Sequence, residues 1–146
     1  MKIDSRYLKN VVPTATFDRP SVNFGLAQLL IKYMQHNNAV GLAANQVGQN
    51  TRVFVMNVSN KIRTCFNPEI VTISTETTVE KEGCLSFPKK FVSVARPQVI
   101  HVKYYDHKGT LIEESLTGLA ARCFQHELDH LNGITMFERN EELNYV

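Results

Sequence analysis

Tryptophan is absent from this sequence of 146 residues, and only 3 cysteines, 5 prolines and 7 glycines occur in it. So little proline and glycine excludes collagen-like and low-complexity architectures. Three cysteines cannot all pair within one chain, so a disulfide-stapled scaffold is excluded as well. Free thiols or metal ligands are the expected roles of the cysteines.

Long apolar runs and blocks of one charge are also missing. No run approaches the roughly 20 residues that cross a bilayer, and the first residues, MKIDSRYLKN, lack the apolar core of a signal peptide. The 16 basic and 14 acidic residues are spread along the chain and give a net charge of +2. We therefore expect a cytoplasmic protein that binds neither membranes nor nucleic acid, with residues 1–146 forming a single domain.

Two helical patterns flank a central block of strand patterns. Apolar residues recur at helical spacing from Pro20 to the asparagines at 37 and 38, and again from Thr117 to Gly133. Segments rich in Val, Ile, Phe and Thr predict strands between them, and a turn that ends in Gly109 joins the last two. These strands cover residues 52–58, 70–78, 91–94, 99–105 and 110–116. The order predicts an α+β fold with antiparallel sheet in its middle.

The second helix carries an H-E-x-x-H motif, His126-Glu127-Leu128-Asp129-His130. Residues four apart lie above one another on a helix, so both imidazoles can bind one ion while Glu127 reaches a water beside it. The alternative is a solvated helix face that carries two histidines and two acids. The spacing favours a metal site.

A catalytic site of this kind needs a third protein ligand. Met136 occupies the position at which the longer H-E-x-x-H-x-x-G-x-x-H pattern requires a histidine. The downstream glutamates lie in a short charged tail and are poor candidates: Glu138, Glu141 and Glu142. Upstream, Cys84 stands out because thiolate is a good ligand for borderline and soft ions. Cys65 and Cys123 are explained as small buried hydrophobes, with Cys123 facing the pocket.

Three separated motifs resemble those of peptide deformylases and occur in the same order. They are Gly41-Leu42-Ala43-Ala44-Asn45-Gln46, Glu82-Gly83-Cys84-Leu85-Ser86 and Gln125-His126-Glu127-Leu128-Asp129-His130. The resemblance implies antiparallel or mixed sheets packed around a central helix that bears the H-E-x-x-H motif, with an N-terminal helix. It also implies a metal-dependent hydrolase that removes the N-formyl group from the formylmethionine of new polypeptides and releases formate.

The resemblance assigns roles to single residues. Cys84, His126 and His130 would bind the ion, which is usually ferrous iron in this family, with zinc, nickel or cobalt as substitutes. Ligand chemistry alone does not choose iron, because one cysteine and two histidines suit zinc equally well. Glu127 would take a proton from the activated water and return it to the departing amine.

The remaining roles concern the formyl oxygen and the peptide. The side-chain amide of Gln46 and the backbone N–H of Leu85 would stabilise the charge on that oxygen. Substrate would contact a further group of residues: Val40, Gly41, Gly83, Leu119 and Cys123. Without the resemblance, Gln46 is better explained as a loop residue that caps a turn, and Gly41 as a turn glycine. Glu82 and Asp129 are candidates for orienting the histidines, with Arg96 as a partner of one of them.

The sequence departs from the family pattern at Ala39, usually glycine, and at Phe91, where bacterial members commonly carry a basic residue. Bacterial members also continue into a further C-terminal helix through which some bind the ribosome, so docking by that route is not expected. A short form of this kind resembles phage-encoded members, which implies a location in the cytoplasm of a bacterium or of a phage-infected host.

We expect a monomer. Two rival functions are a protease that cuts internal peptide bonds and a non-catalytic member of the family.

Overall fold

The computed structural model describes residues 3–140, which form two α-helices, seven strands and one 3-10 helix. In chain order these elements are α1 (Pro20–His36), β1 (Gly41–Ala43), the 3-10 helix (Ala44–Val47), β2 (Val53–Val58), β3 (Lys61–Ile73), β4 (Thr77–Cys84), β5 (Phe87–Pro97), β6 (Val99–Tyr105), β7 (Leu111–Thr117) and α2 (Gly118–Leu131).

Five of the strands form one antiparallel sheet in the order β1-β2-β3-β6-β7. Side chains on β2 alternate between its two faces, as they do on any strand. Val53 and Val55 pack with Leu30 and Met34 of α1, whereas Phe54 packs against Phe124 of α2 with 5.0 Å between ring centroids. The sheet therefore lies between the two helices, and β2 is buried on both faces.

Strands β4 and β5 form a separate two-stranded hairpin that packs on α2. The helix holds this hairpin through polar side chains: the Arg122 guanidinium donates to the Val94 carbonyl at 3.1 Å and the Gln125 amide donates to the Pro97 carbonyl at 3.2 Å. Helix α2 thus lies between the large sheet and the hairpin, and its residues from 121 to 131 are all buried.

The structure confirms the α+β class, both helices and the hairpin of β6 and β7. Helix α1 ends one residue before the asparagine pair, and its buried residues are Asn23, Ala27, Leu30 and Met34. Val22, which belonged to the predicted apolar pattern, is half exposed. At the β6–β7 turn Gly109 has φ +91, and the Asp106 carboxylate accepts hydrogen bonds from two backbone N–H groups of the turn.

The prediction of one strand over residues 70–78 was wrong. The segment holds the end of β3 and the start of β4, which are separated by residues 74–76, where the Ser74 hydroxyl donates to the Glu76 carbonyl. The first half of β3 was missed because Asn67 and Pro68 are typical of a turn. They lie instead at a bulge, where the Asn67 side chain forms two hydrogen bonds with the backbone of Ala15.

Candidate metal centre

The two histidines of the H-E-x-x-H motif lie one turn apart on α2. Their ring centroids are 4.6 Å apart, and both side chains are buried. The helix begins after Thr117, which has extended backbone angles, and ends before Gly133, whose φ is +76. A side chain at Gly133 would meet the Lys9 carbonyl oxygen at 2.8 Å, so glycine is needed there.

Cys84 reaches the histidines from the end of β4. The register between β4 and β5 shifts between Gly83 and Cys84, as it does at a β-bulge, and bulges re-aim side chains. The Cys84 Sγ lies 3.6 Å from Nε2 of His130, and the candidate ligand atoms of Cys84, His126 and His130 all lie within 4.8 Å of one another. Within residues 3–140 this is the one group of at least three such side chains that could hold a metal ion.

Each imidazole uses its Nδ1 for a contact with protein. Nδ1 of His126 lies 2.8 Å from Oε1 of Glu82, and Nδ1 of His130 lies 3.2 Å from the side-chain oxygen of Gln46. Both oxygens can only accept, so we assign the proton to Nδ1 in each ring. This tautomer leaves both Nε2 atoms as acceptors for an ion.

Two arginines hold the Glu82 carboxylate in place. Arg96 donates to both of its oxygens at 2.5 and 2.9 Å, and Arg122 donates to Oε2 at 2.6 Å. Burial acts to raise the pKa of Glu82, but the hydrogen bonds from Arg96 and His126 hold it well below its usual range. Burial acts to lower the pKa of His126, but its hydrogen bonds with Cys84 and Glu82 raise it to about 9. The neutral ring with its proton on Nδ1 is therefore the form that binds an ion, and an ion would displace a second proton from Nε2.

Asp129, the second candidate for orienting a histidine, has different partners. Its carboxylate accepts from Arg96 at 2.9 Å and from Arg139 at 3.1 and 3.2 Å. Arg96 therefore joins Glu82 of the hairpin to Asp129 of the helix. Of these two candidates, Glu82 is the one that contacts a histidine, whereas Asp129 binds the arginine that holds Glu82.

Glu127 lies beside the three candidate ligands and is almost fully buried. Its Oε1 is 3.3 Å from Nδ1 of His130 but accepts no hydrogen bond from any described residue. Its Oε2 lies under β1, where a side chain on Gly41 would approach it to 2.7 Å and Sγ of Cys123 to 2.8 Å. A buried carboxylate oxygen without a partner is costly, and it is typical of a group that acts on a ligand.

Gln46 is held from two sides. Its oxygen accepts from the Ala43 backbone N–H at 2.9 Å, while its nitrogen donates to the Ser86 hydroxyl at 3.0 Å and faces Sγ of Cys84 at 3.5 Å. The amide nitrogen is therefore directed at the group of candidate ligands. Ser86 in turn donates to the Asp4 carbonyl, which fixes the loop after Cys84.

A cavity of about 490 Å³ opens onto this site. The lining includes every residue that the sequence assigned to catalysis or substrate contact, together with two of the three candidate ligands: Val40, Gly41, Gln46, Gly83, Cys84, Leu85, Leu119, Cys123, His126 and Glu127. The remaining ligand, His130, lies behind them and is 1% exposed. Burial raises the pKa of the Cys123 thiol well above its usual value. Cys123 therefore lines the cavity as a protonated, weakly polar thiol.

Sequence reasoning missed Arg122. It donates to Glu82, to the Val94 carbonyl and, at 2.9 Å, to the Thr78 carbonyl, so it contacts both strands of the hairpin. Its position four residues before His126 could have indicated that it faces the site, because residues at that spacing share a helix face. A charged residue on that face needs a buried counter-charge, and Glu82 supplies it.

The chain also matches known proteins over most of its length. The family model for polypeptide deformylase matches residues 2–145. The peptide deformylase of Thermotoga maritima is 52% identical over 110 residues, which are 75% of this chain and 67% of that protein. The chain belongs to the polypeptide deformylase family. It is thus a hydrolase of the class that removes the N-formyl group from nascent peptides, and this family works with a divalent metal ion.

Solved structures of family members agree with the fold. The crystal structure of the Thermotoga maritima deformylase matches with a TM-score of 0.88 and 45% identity, over 94% of this chain and 92% of that one. A protein of synechococcus phage S-SSM7, described as a probable peptide deformylase, matches with a TM-score of 0.88 and 34% identity, over 95% of this chain and 99% of that one. No helix in the described part of the chain is long and apolar enough to cross a membrane.

Proposed function

We propose that Cys84, His126 and His130 hold the divalent ion and that Glu127 moves the proton during deformylation. The observation that carries this proposal is the convergence of three candidate ligand atoms beside a buried Glu127 oxygen that accepts no hydrogen bond within residues 3–140. The donor set fits a divalent ion of borderline softness, since it combines one thiolate with two imidazole nitrogens. Both imidazoles are already oriented through Nδ1, as metal-binding histidines usually are.

We propose ferrous iron as the ion in the cell, with zinc, nickel or cobalt as substitutes. The support for iron is family membership, because the three ligands suit zinc equally well. Metal analysis by mass spectrometry after anaerobic purification tests the assignment. We expect iron to be the major metal, and zinc as the major metal would contradict it.

When bound, the ion supplies Lewis-acid activation of a water molecule and of the formyl carbonyl. The carboxylate of Glu127 accepts a proton from that water and returns it to the amine nitrogen as the carbon–nitrogen bond breaks. Water and the formyl amide thus become formate and a free amino terminus. The buried position of Glu127 keeps bulk water from competing for this proton.

Charge that develops on the formyl oxygen requires donors that are already in place. We assign this role to the side-chain amide of Gln46 and the backbone N–H of Leu85. The contacts of Gln46 with Ala43, Ser86 and His130 fix its orientation before substrate arrives. Such preorganised donors cost no rearrangement during the reaction.

The edges of β1 and β4 would hold the peptide backbone on the two sides of the cavity. Gly41 lies at the edge of the large sheet and Gly83 lies in the hairpin, next to Cys84. A peptide that pairs with such an edge gains main-chain hydrogen bonds. Val40, Leu119 and Cys123 would then contact the methionine side chain.

Two substitutions test the assignment when the protein is purified anaerobically with iron or nickel and assayed on formyl-Met-Ala-Ser. Glu127→Ala should keep its metal and lose about 10²–10⁴-fold in kcat, since it removes only the proton carrier. Cys84→Ala should lose metal. Full metal occupancy in Cys84→Ala would falsify the ligand assignment, and an active Glu127→Ala would contradict the role of Glu127.

Matched controls separate these effects from general damage. Glu113→Ala removes an exposed carboxylate from β7, and Cys65→Ala removes a buried thiol from β3. Both should keep full metal occupancy and near-normal turnover. Internal cleavage of the peptide without formate release would favour a protease instead.

We further propose that residues 1–146 act as one catalytic domain and as a monomer in the cytoplasm of a bacterium or of a phage-infected host. The location follows from the substrate, because formylated chains emerge from ribosomes there. Light scattering during size-exclusion chromatography tests the monomer. A dimer mass at micromolar concentration would contradict it.

A further inference from the structure

The cavity has a polar floor and an apolar mouth. Glu127, Cys123 and His126 form the floor and are each less than a tenth exposed, whereas Phe91, Leu119 and Val40 line the same cavity and are 68%, 52% and 45% exposed. An exposed phenylalanine gains free energy when a ligand covers it. Phe91 is therefore the residue of the mouth with the most apolar surface still to bury.

The backbone fixes the position of Phe91. In the β4–β5 register Phe91 lies opposite Gly83, and paired residues point to the same face of a hairpin. A side chain on Gly83 would meet the Phe91 ring at 2.6 Å, so the ring lies directly against the Gly83 Cα. The ring is thus held one residue away from Cys84, on the solvent side of the site.

A peptide bound with its formyl group at the site would bring its second residue to this ring. In the proposed mechanism the formyl carbon lies near Glu127, and the methionine side chain would then lie beside Cys123. The chain beyond methionine leaves through the mouth, and its next Cα lies about 3.8 Å further on. The side chain of the residue that follows formylmethionine would then be the first to reach Phe91.

We propose, on the basis of the function assigned above, that Phe91 makes the enzyme select peptides whose second residue is apolar, and above all aromatic. Aromatic side chains prefer offset or edge contacts with a second ring, which adds to the gain from burial. Lys81 and Lys89 also line the mouth, and neither forms an ion pair with a described residue. Both are exposed, so their attraction for an acidic peptide is screened by salt, and we rank it below the contact with Phe91.

The test compares kcat/KM of the metal-loaded enzyme on formyl-Met-Phe-Ser, formyl-Met-Ser-Ser and formyl-Met-Asp-Ser. We expect the Phe peptide to exceed the Ser peptide by about tenfold, the size of one good aromatic contact. Phe91→Ala should reduce this ratio to about one to two, and Phe91→Leu should leave an intermediate ratio. Phe91→Leu also keeps the test valid if the alanine variant folds poorly.

Val79→Ala is the matched control, because Val79 lies on the same hairpin, is 53% exposed and does not line the cavity. It should keep the wild-type ratio. An unchanged ratio in Phe91→Ala, or a wild-type preference for the Asp peptide, overturns the proposal. Because formyl-Met-Ser-Ser reports deformylation itself, failure of the selectivity is distinguishable from failure of the proposed catalytic site.

Discussion

Helix α2 and the β4–β5 hairpin contribute to the same site in different ways. The helix presents His126 and His130 from adjacent turns, so their spacing is set by local backbone geometry. The hairpin presents Cys84 after a register shift, and about half of the residues in its two strands are exposed. Two of the candidate ligands are thus positioned within one element, and the third depends on how two elements pack together.

Buried ion pairs join these two regions. Arg96 of the hairpin contacts Asp129 of the helix, and Arg122 of the helix contacts Glu82 of the hairpin. Both arginines donate hydrogen bonds to Glu82, the residue that orients His126. The same contacts therefore hold the hairpin against the helix and orient a ligand, so a change in one should affect both stability and metal binding.

Arg96→Met is expected to have the largest effect on stability. It leaves Glu82 and Asp129 with fewer partners in a buried position, which typically costs about 3–5 kcal/mol of unfolding free energy. We also expect about 10–100-fold weaker metal binding, the usual result of losing support for a ligand. Urea unfolding and competition with a chelator measure the two quantities.

Lys103→Met is the control for Arg96→Met. Lys103 pairs with Glu69 on the surface of the large sheet, with 38% and 59% of the two side chains exposed. Exposed pairs contribute little to stability because water and salt screen them, so this variant should unfold close to the wild type and keep its metal. Equal losses in the two variants would show that burial does not distinguish these ion pairs.

The same contrast explains what could be predicted from the sequence. The bounds of β6, the extent of both helices and the histidine spacing follow from the periodicity of single elements. Cys84 could be selected only by excluding other ligands and by the thiol's chemistry. Gln46 and Leu85 entered through the resemblance of motifs, because an isolated glutamine in a loop has no pattern of its own.

What could not be predicted depends on contacts between distant residues. Arg122 and Glu82 are 40 residues apart, and no local pattern indicates that they meet. Asn67 and Pro68 favour a turn in isolation, but the hydrogen bonds of Asn67 with Ala15, 52 residues away, stabilise a bulge in a long strand. Tertiary contacts of this kind override local preference.

Gly41→Ala tests the close approach of β1 to the helix. A new Cβ would lie 2.7 Å from Oε2 of Glu127 and 2.8 Å from Sγ of Cys123, so Glu127 must shift. Overpacking of this kind costs about 1–3 kcal/mol, and displacement of a catalytic group by 1 Å can cost about 10²-fold in rate. Turnover and urea unfolding measure both effects, and we expect the metal to be retained.

Gly25→Ala is the matched control for Gly41→Ala. Gly25 lies within α1, and a Cβ there would meet no atom of the described residues within 4 Å. Alanine favours a helix over glycine, so this variant should gain about 0.5–1 kcal/mol of stability and keep its activity. A matching loss of activity in both variants would argue against a specific contact at Gly41.

The smallest effect is expected for Glu114, which lies on the large sheet away from the helix–hairpin interface. Burial acts to raise the pKa of Glu114, but hydrogen bonds from Arg63 and Tyr104 lower it below the usual 4.5. A carboxylate whose pKa is lower in the folded state stabilises the protein at any pH above the pKa that this group has in the unfolded chain. This contribution is lost as the pH falls through the folded-state pKa. Because the pair is only partly buried, the contribution should be below about 1 kcal/mol.

Glu114→Gln should therefore be less stable than the wild type near neutral pH, and the difference should shrink as the pH falls below 4.5, the ordinary pKa of the group. Urea unfolding at a series of pH values measures it, with Glu113→Gln on the same strand as an exposed control. Only the difference between variant and wild type is informative, since other groups titrate equally in both. A difference that grows toward acid pH would contradict the lowered pKa. A pH-dependent difference as large as the loss in Arg96→Met would mean that ion pairs on the sheet matter as much as those at the helix–hairpin interface.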